Sequence, residues 1–214
     1  NPKADAWNVV GELPGREAPD EVIVVGGHLD SWDPGTGAID DGAGVAITTA
    51  AAKLAASAGP LRRTIRVVMW GSEEQSGSGE AYAAAHKADA GKIVLAGESD
   101  LGASPIWSLS LPPAALATPA MTAFKATLPA LKVEVLPAPP RFGGSDIEGL
   151  AAAGVPFVDF NQSANRYFDL HHSADDTLDK IDPAELAQNV AVWAAFLYTA
   201  ANSDVEFRAK PAAK

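Results

Sequence analysis

The chain has 214 residues, 47% of them hydrophobic, which suffices for one sizeable core and argues against a second domain. Its formal net charge of −11 argues against nucleic acid or an anionic membrane as a partner, because an acidic surface repels phosphates and anionic lipids. Cysteine is absent, which rules out disulfides and thiolate metal sites. No apolar run reaches about eighteen residues and no signal-like segment opens the chain, so no membrane-spanning helix is expected.

The first half of the chain alternates β-branched runs with alanine-rich segments. The β-branched runs predict strands at residues 8–13, 21–25, 63–70 and 92–96. The alanine-rich segments predict helices at residues 44–58 and 79–90, and a loop rich in glycine and aspartate precedes the first of them. This alternation of strands and helices indicates right-handed crossovers and a largely parallel sheet with helices on both faces.

The second half continues the pattern with shorter elements. Helices are predicted at residues 114–128, 146–153 and 183–201, and strands at 132–136 and 157–160. Asp182 is the expected N-cap of the last helix, with Pro183 in its first turn. We therefore expect a three-layer α/β/α sandwich with a mixed, mostly parallel sheet over residues 1–203, followed by a frayed tail at 204–214.

Five side chains able to bind a metal lie scattered along the chain, and several come directly after predicted strands. Ligands of an open α/β sheet bind beyond the carboxyl ends of its strands, so residues distant in sequence converge there. The pattern predicts a metal-dependent hydrolase whose candidate ligands are His28, Asp40, Glu74, Asp100 and His172.

Asp40 and Asp41 stand just before a predicted helix and allow two interpretations. Asp is a good N-cap and favours the positive end of a helix, so capping is the plain alternative. In the functional interpretation, Asp40 bridges two cations with one oxygen directed at each. The sequence around the pair does not decide between these interpretations.

Glu73 and Glu74 follow the strand predicted at 63–70. Adjacent carboxylates are usually solvated charges. On a tight connection beside the expected crevice, however, one of them can bind a metal while its neighbour accepts a proton from water. We assign Glu74 as the ligand and Glu73 as the general base.

The histidines also have structural alternatives. A lone histidine after a buried strand, such as His28, is commonly a satisfied core residue. Asp30 lies two residues further on and is within reach of the ring, where it would fix the tautomer of a metal ligand. His172 belongs to a polar segment that is otherwise typical of a loop, and Asp176 is placed to serve it in the same way.

Other chemistries lack their sequence signals. The glycine-rich stretches do not end in the Lys-Ser/Thr of a phosphate-binding loop, and no Gly-x-Ser-x-Gly nucleophile motif occurs. Nucleotide binding and serine hydrolysis are therefore not expected.

Five ordered blocks resemble the signature blocks of the co-catalytic di-zinc aminopeptidase family, and they lie at residues 27–31, 37–44, 73–74, 98–100 and 171–178. The Gly-Gly-His-Leu-Asp-Ser-Trp opening and the Arg-Arg-Thr-Ile-Arg strand are most similar to its plasma glutamate carboxypeptidase (carboxypeptidase Q) branch. The resemblance spans about residues 8–201, which is nearly the whole chain.

The resemblance implies a role for each matching residue. One zinc ion would be held by His28 and Asp100 and a second by Glu74 and His172, with Asp40 bridging. Glu73 would be the base, and Asp30 would support His28. Where several relatives have a tyrosine before the last ligand this chain has His171, which leaves His171 or Tyr167 as the donor to the tetrahedral intermediate.

The implied activity is that of a zinc exopeptidase, which removes N-terminal residues from peptides or splits dipeptides with a two-metal-activated water. Other divalent ions suit the same ligands. The alternative is a catalytically silent binding or scaffolding module that keeps the fold. Members of this branch carry an upstream segment and an inserted protease-associated domain, so the chain is expected to match their catalytic portion, and a secreted or periplasmic location is implied.

Overall fold

A computed structural model describes residues 4–75 and 77–209. The strands of these residues are Val9–Leu13 (β1), Ala18–His28 (β2), Arg63–Trp70 (β3), Ile93–Glu98 (β4), Ile106–Ser110 (β5), Glu134–Val135 (β6) and Asp159–Gln162 (β7). The α-helices are Ala43–Ser57 (α1), Ser78–Ala85 (α2), Pro119–Thr127 (α3), Glu148–Ala152 (α4), Tyr167–Leu170 (α5) and Pro183–Ala201 (α6). Short turns of other helix types lie at Ala38–Gly42, Lys87–Asp89, Leu128–Leu131 and Leu178–Lys180.

The strands form a mixed sheet. Four of them lie in the order β1-β3-β2-β4, with β2, β3 and β4 parallel and β1 antiparallel at the edge. The other three lie in the order β6-β5-β7. A bridge between Ala96 and Phe157 joins β4 to the segment that leads into β7. The sheet is therefore continuous in its hydrogen bonding from β1 to β6.

Apolar side chains cover both faces of this sheet. Alternate residues of a strand point to opposite faces, and in β2 Ile23 and Val25 enter the larger core while Val22 and Val24 enter a second one. The larger core includes residues of α1, α3 and α6, and the second includes residues of α2 and α4. The three-layer α/β/α sandwich with a mixed, mostly parallel sheet is confirmed.

The parallel strands end at one edge of the sheet. His28, the last residue of β2, pairs with Trp70 at the end of β3, and Gly26 pairs with Glu98 at the end of β4. Because these strands run in the same direction, the residues that follow them emerge side by side. This edge is where the sequence places its candidate metal ligands.

Several predicted boundaries differ from the observed ones. The sequence does not predict β5 or α5, which are only five and four residues long. The predicted helix 114–128 begins only at Pro119, because the hydroxyl of Thr118 accepts the N–H of Met121 and caps the helix there. The final helix begins as predicted, with Asp182 accepting the N–H groups of Ala184 and Glu185.

The C-terminal segment packs against the domain. Val205 and Phe207 are buried in the larger core. The Arg63 guanidinium donates to the carbonyl of Val205 at 3.0 Å and lies 5.9 Å from the centre of the Phe207 ring. The sequence predicts a frayed tail at 204–214, whereas Val205 and Phe207 are packed against the domain; residues 210–214 lie outside the described part. No helix among the described residues is long and apolar enough to cross a membrane.

Candidate metal centre

The first cluster of candidate ligands forms around His28, at the carboxyl end of β2. Its Nε2 atom lies 3.1 Å from Oδ1 of Asp40 and 3.5 Å from Oδ1 of Asp100. One ligand atom from each of these three residues lies within 4.8 Å of the others, which is close enough to share one metal ion. The sheet edge supplies two members, since His28 ends β2 and Asp100 follows β4 by two residues.

The second cluster forms around His172, which belongs to the loop after α5. Its Nε2 atom lies 3.1 Å from Oδ2 of Asp40 and 3.2 Å from Oε2 of Glu74. These three residues also offer ligand atoms within 4.8 Å of one another. Asp40 belongs to both clusters and turns one oxygen toward each histidine. All five predicted ligand positions are thus brought together.

The donor set fits divalent cations. It consists of imidazole nitrogens and carboxylate oxygens, which are ligands of zinc. Oε1 of Glu74 is buried without a hydrogen-bond partner among the described residues. Among the described residues, the ion pairs of Asp40, Glu74 and Asp100 are with histidines and with no lysine or arginine. Buried carboxylates without cations are costly, and a bound metal would offset that cost.

A proton on His28 partly compensates this negative charge in the protein without metal. Burial lowers the pKa of His28, but hydrogen bonds with Asp100 and Asp40 outweigh burial and raise the pKa to about 12. A metal ligand must be neutral at the coordinating nitrogen. Metal binding at this site therefore displaces a proton.

The acidic members of the clusters respond to burial and to one another. Burial raises the pKa of Asp100 in spite of its hydrogen bond with His28, and the charges of Asp40 and Glu73 raise it further. Burial and the charge of Asp40 also raise the pKa of Glu74. The charge of Asp40 therefore opposes the ionisation of both Asp100 and Glu74, and a divalent cation would relieve this repulsion.

Asp30 supports the site in a different way from the one the sequence indicates. The ring of His28 donates from Nδ1 to the main-chain carbonyl of Asp30 at 2.9 Å, whereas the Asp30 carboxylate is 3.6 Å away. That carboxylate accepts the N–H groups of Glu73 at 2.9 Å and Glu74 at 3.1 Å. Asp30 thus fixes the imidazole with its backbone and the Glu73–Glu74 turn with its side chain.

Glu73 and Glu74 differ in their surroundings. The Glu74 side chain is only 7% exposed, which contradicts the alternative of two solvated charges. Glu73 is partly exposed, and its negative charge acts on the pKa values of both Asp100 and Asp146. Glu73 therefore lies beside the clusters but outside the two groups of candidate ligands.

Asp40 and Asp41 have different contacts, and each residue fits one of the two interpretations. Oδ1 of Asp41 accepts the N–H of Gly44 in the first turn of α1, and its Oδ2 accepts the N–H of His28. Asp41 therefore takes a hydrogen bond from the first turn of α1, while the carboxylate of Asp40 faces the two histidines.

Both candidate donors to an oxyanion lie at the site. The Tyr167 hydroxyl is 3.5 Å from Oδ1 of Asp100, and its ring stacks on that of His171 with 4.8 Å between centres. Burial and the charges of Asp100 and Asp40 raise the pKa of Tyr167, which keeps its hydroxyl protonated. His171 lies against His172, and its Nδ1 is buried without a partner in the described chain.

Three further residues lie at the site, and the sequence assigned none of them a role. The Trp32 indole N–H donates to Oε2 of Glu74, and its ring lies 5.5 Å from that of His172. Oε2 of Glu98 accepts the N–H of Asp146 at 2.9 Å. Burial raises the pKa of Asp146 to about 7. Trp32 closes the Gly-Gly-His-Leu-Asp-Ser-Trp opening and Glu98 begins the block at 98–100, so their places inside these blocks were the signal that could have found them.

Asp176 does not have the predicted contact. The sequence places it as a partner of the His172 ring, but its carboxylate accepts the N–H groups of Ile39 at 2.5 Å and Asp40 at 3.3 Å. Its hydrogen bonds therefore serve the loop that carries Asp40.

A cleft of about 540 Å³ opens beside the first cluster. Asp100, Glu98, Trp107, Arg141 and Phe142 are among the residues that line it. Trp107 and Phe142 are both exposed large aromatic residues. A small molecule in this cleft would lie next to the candidate metal ligands.

Comparisons with known proteins agree with this geometry. The model of peptidase family M28 matches residues 8–197. Carboxypeptidase Q from Mus musculus is 37% identical over 205 residues, which cover 95% of this chain and 43% of that protein. Carboxypeptidase Q from Homo sapiens is 36% identical, with coverage of 95% and 43%. The chain thus spans less than half the length of these curated relatives.

This chain is also similar to solved structures. The crystal structure of a peptidase M28 precursor from Shewanella amazonensis SB2B is 46% identical, has a TM-score of 0.87 and covers 95% of this chain and 46% of its own. BSAP, a zinc aminopeptidase from Bacillus subtilis, is 16% identical with a TM-score of 0.71, covering 94% of this chain and 53% of its own. The similarity to BSAP concerns the fold alone.

Proposed function

The chain belongs to peptidase family M28, and from this premise we propose that it is the catalytic domain of a zinc-dependent exopeptidase that acts on small peptides or dipeptides. The observation that carries the proposal is the position of Asp40, whose two oxygens each lie 3.1 Å from a different histidine. A carboxylate shared in this way suits two metal ions better than one.

The proposed ligand set follows the two clusters. His28 and Asp100 would hold one zinc ion and Glu74 and His172 the other, with Asp40 as a ligand shared by both. A bound zinc ion supplies Lewis acidity, polarising a carbonyl and lowering the pKa of water. The Asp30 carbonyl keeps His28 in the tautomer with Nε2 free to bind, because it accepts the proton on Nδ1.

Glu73 is the proposed general base. Its main-chain N–H is fixed by the Asp30 carboxylate, and its side chain is outside the two ligand groups and partly open to solvent. It accepts the proton of the attacking water and returns it to the leaving amine. Tyr167 or His171 donates a hydrogen bond to the oxygen on which negative charge develops.

The free ammonium group of the substrate gives a reason for exopeptidase selectivity. Asp100 and Glu98 line the cleft, and the chain as a whole is acidic. A positively charged N-terminus is attracted to such a site, whereas a blocked N-terminus gains nothing from it. The secreted or periplasmic location implied by the resemblance is part of the same proposal.

The test compares free and blocked substrates. Metal-free protein is incubated with aminoacyl-amides, dipeptides and their N-acetylated counterparts, and the release of free amino acids is measured with and without added zinc. We expect zinc-dependent cleavage of the free substrates only. A protein that binds two zinc ions but cleaves none of these substrates would support the silent binding module instead. Metal content alone does not separate the two.

A further inference from the structure

Asp176 is a buried carboxylate for which the proposed chemistry gives no role. Its side chain is 3% exposed. No ion pair among the described residues involves it, although its neighbours Asp175 and Asp179 both pair with Lys180. A buried carboxylate without a cation needs hydrogen-bond donors to be tolerated. The position of those donors indicates what the residue does.

Four hydrogen bonds link Asp176 to the loop that leads to Asp40. Its carboxylate accepts the N–H groups of Ile39 at 2.5 Å and Asp40 at 3.3 Å. Its main-chain carbonyl accepts the N–H of Thr36 at 2.8 Å and the Thr36 hydroxyl at 3.0 Å. One residue thus fastens the loop after α5 to the loop before α1.

The two loops are also in close steric contact. A Cβ atom at Gly35 would lie 2.5 Å from the carbonyl oxygen of Ser173 and 3.0 Å from Cβ of Asp176. Only glycine permits so close an approach. The hydrogen bonds of Asp176 therefore hold surfaces that already fit against each other.

This fastening acts on one metal group more than on the other. His172 lies four residues before Asp176, on the same loop, and its Nε2 is 3.1 Å from Oδ2 of Asp40 on the other loop. The distance between these two ligands depends on how the loops are held together. His28 instead ends β2 and Asp100 lies two residues after β4. The sheet fixes the positions of these two strands.

We propose that Asp176 is a positioning residue for the Asp40–Glu74–His172 group, where it ties the His172 loop to the Asp40 loop and so sets the affinity for one of the two metals. The inference rests on the proposed function, because it needs both groups to bind zinc. Residues that orient metal ligands commonly change affinity by about 10- to 100-fold when they are replaced.

The experiment uses the full chain and the variant Asp176→Asn, in which an NH2 group replaces one acceptor. Zinc is titrated into metal-free protein in competition with a coloured chelator, which gives the number of sites and the affinity of each. We expect one equivalent to weaken by about 10- to 100-fold and the other to weaken less, since the sheet fixes His28 and Asp100 although Asp40 belongs to both groups. Hydrolysis at limiting zinc should fall and recover when zinc is raised.

Asp175→Asn is the matched control, because this neighbouring side chain is 72% exposed. It should bind both equivalents like the unchanged chain. Circular dichroism of the metal-free proteins shows whether each variant folds. A merely structural role of Asp176 would lower the unfolding temperature of the metal-free protein and leave the two zinc affinities as they are, which would overturn the proposal.

A second variant covers the case in which Asp176→Asn does not fold. Gly35→Ala pushes the same loops apart from the other side and should weaken the same single equivalent. Two equivalents bound as tightly as in the unchanged chain, or both weakened equally, would overturn the positioning role. If the unchanged chain itself binds no zinc, the proposed function fails as well. If the unchanged chain binds zinc and only the expected effect of the variants is missing, the positioning role is refuted and the proposed function still stands.

Discussion

The carboxylate of Asp41 accepts the main-chain N–H of His28 at 3.1 Å and thereby joins the start of α1 to the end of β2. Its other oxygen accepts the N–H of Gly44. Because Asp41 takes both of these structural bonds, Asp40 is left free to face the two histidines. The adjacent aspartates therefore have separable roles that a pair of matched substitutions can distinguish.

Asp40→Asn is expected to abolish hydrolysis. The change removes a negative charge from between two divalent cations, which then repel each other across a short gap. Zinc analysis should show loss of one or both ions, while circular dichroism of the metal-free protein should remain that of the folded chain.

Asp41→Asn serves as the matched control. The change replaces an oxygen that accepts a main-chain N–H by an NH2 group, so it should lower the free energy of unfolding by about 1–3 kcal/mol. Zinc binding should change only as far as the fold is destabilised. Near-normal turnover with two retained zinc ions in Asp40→Asn would refute the bridging role.

The two adjacent glutamates should respond differently to removal of charge. Glu73→Gln removes the base but leaves the ligand set, so we expect hydrolysis to fall by at least about a hundredfold with zinc binding intact. Glu74→Gln should instead weaken one zinc ion. Turnover and zinc content are measured on both variants. If Glu73→Gln lost metal and Glu74→Gln retained both ions, the two roles would have to be exchanged.

The stability of the metal-free protein should decrease as the pH rises. Hydrogen bonds with Asp100 and Asp40 outweigh burial and raise the pKa of His28 from 6.5 to about 12. The folded chain therefore keeps a proton that the unfolded chain releases above pH 6.5. Its stabilising effect is complete below that pH and is lost as the pH rises toward 12. Burial also raises the pKa of Asp146, from 3.8 to about 7. The folded chain therefore holds this proton too when the unfolded chain has released it, and stability again falls as the pH rises through that lower interval.

The measurement is the unfolding temperature between about pH 6.5 and 9, with chelator or with zinc, since a neutral ligand is required for metal binding. We expect a fall in the chelated protein and a smaller one with zinc. Zinc added to metal-free protein in weak buffer should also release protons. An unfolding temperature of the chelated protein that rises over this interval would contradict the assignment of a proton to His28.

Phe207→Ala should destabilise the fold although it lies close to the C-terminus. Phe207 is 2% exposed and belongs to the larger core, so its truncation is expected to cost about 3–5 kcal/mol of the free energy of unfolding. Phe168→Ala is the control, because that ring is 67% exposed and should matter by about 0.5 kcal/mol or less. Denaturant unfolding of the metal-free proteins gives both values. Equal stability of the two variants would mean that the C-terminal segment contributes nothing.

The sequence predicted the long elements well and the short ones poorly. β3 and α6 were expected at the residues where they occur, because β-branched runs and a capped amphipathic segment are local signals. The strand β5 and the helix α5 have only five and four residues, too few for a period to be seen. The buried Val205 and Phe207 were missed because charged neighbours hide two apolar residues that pack against distant parts of the chain.

The residue types indicated the candidate metal ligands, and for His28, Glu74 and Asp100 their places at or after predicted strands added to that signal. Parallel strands carry the residues that follow them to one edge of the sheet, whatever their separation in sequence. Asp40 and His172 lie on loops, where no such rule applies. Tertiary structure alone decided that Asp41 and not Asp40 bonds to the first turn of α1, that the Asp30 carboxylate supports Glu73, and that Asp176 bonds to Asp40. The Asp176–Asp40 contact joins loops 136 residues apart. Such contacts depend on how loops pack in three dimensions, and no local pattern of residues encodes that packing.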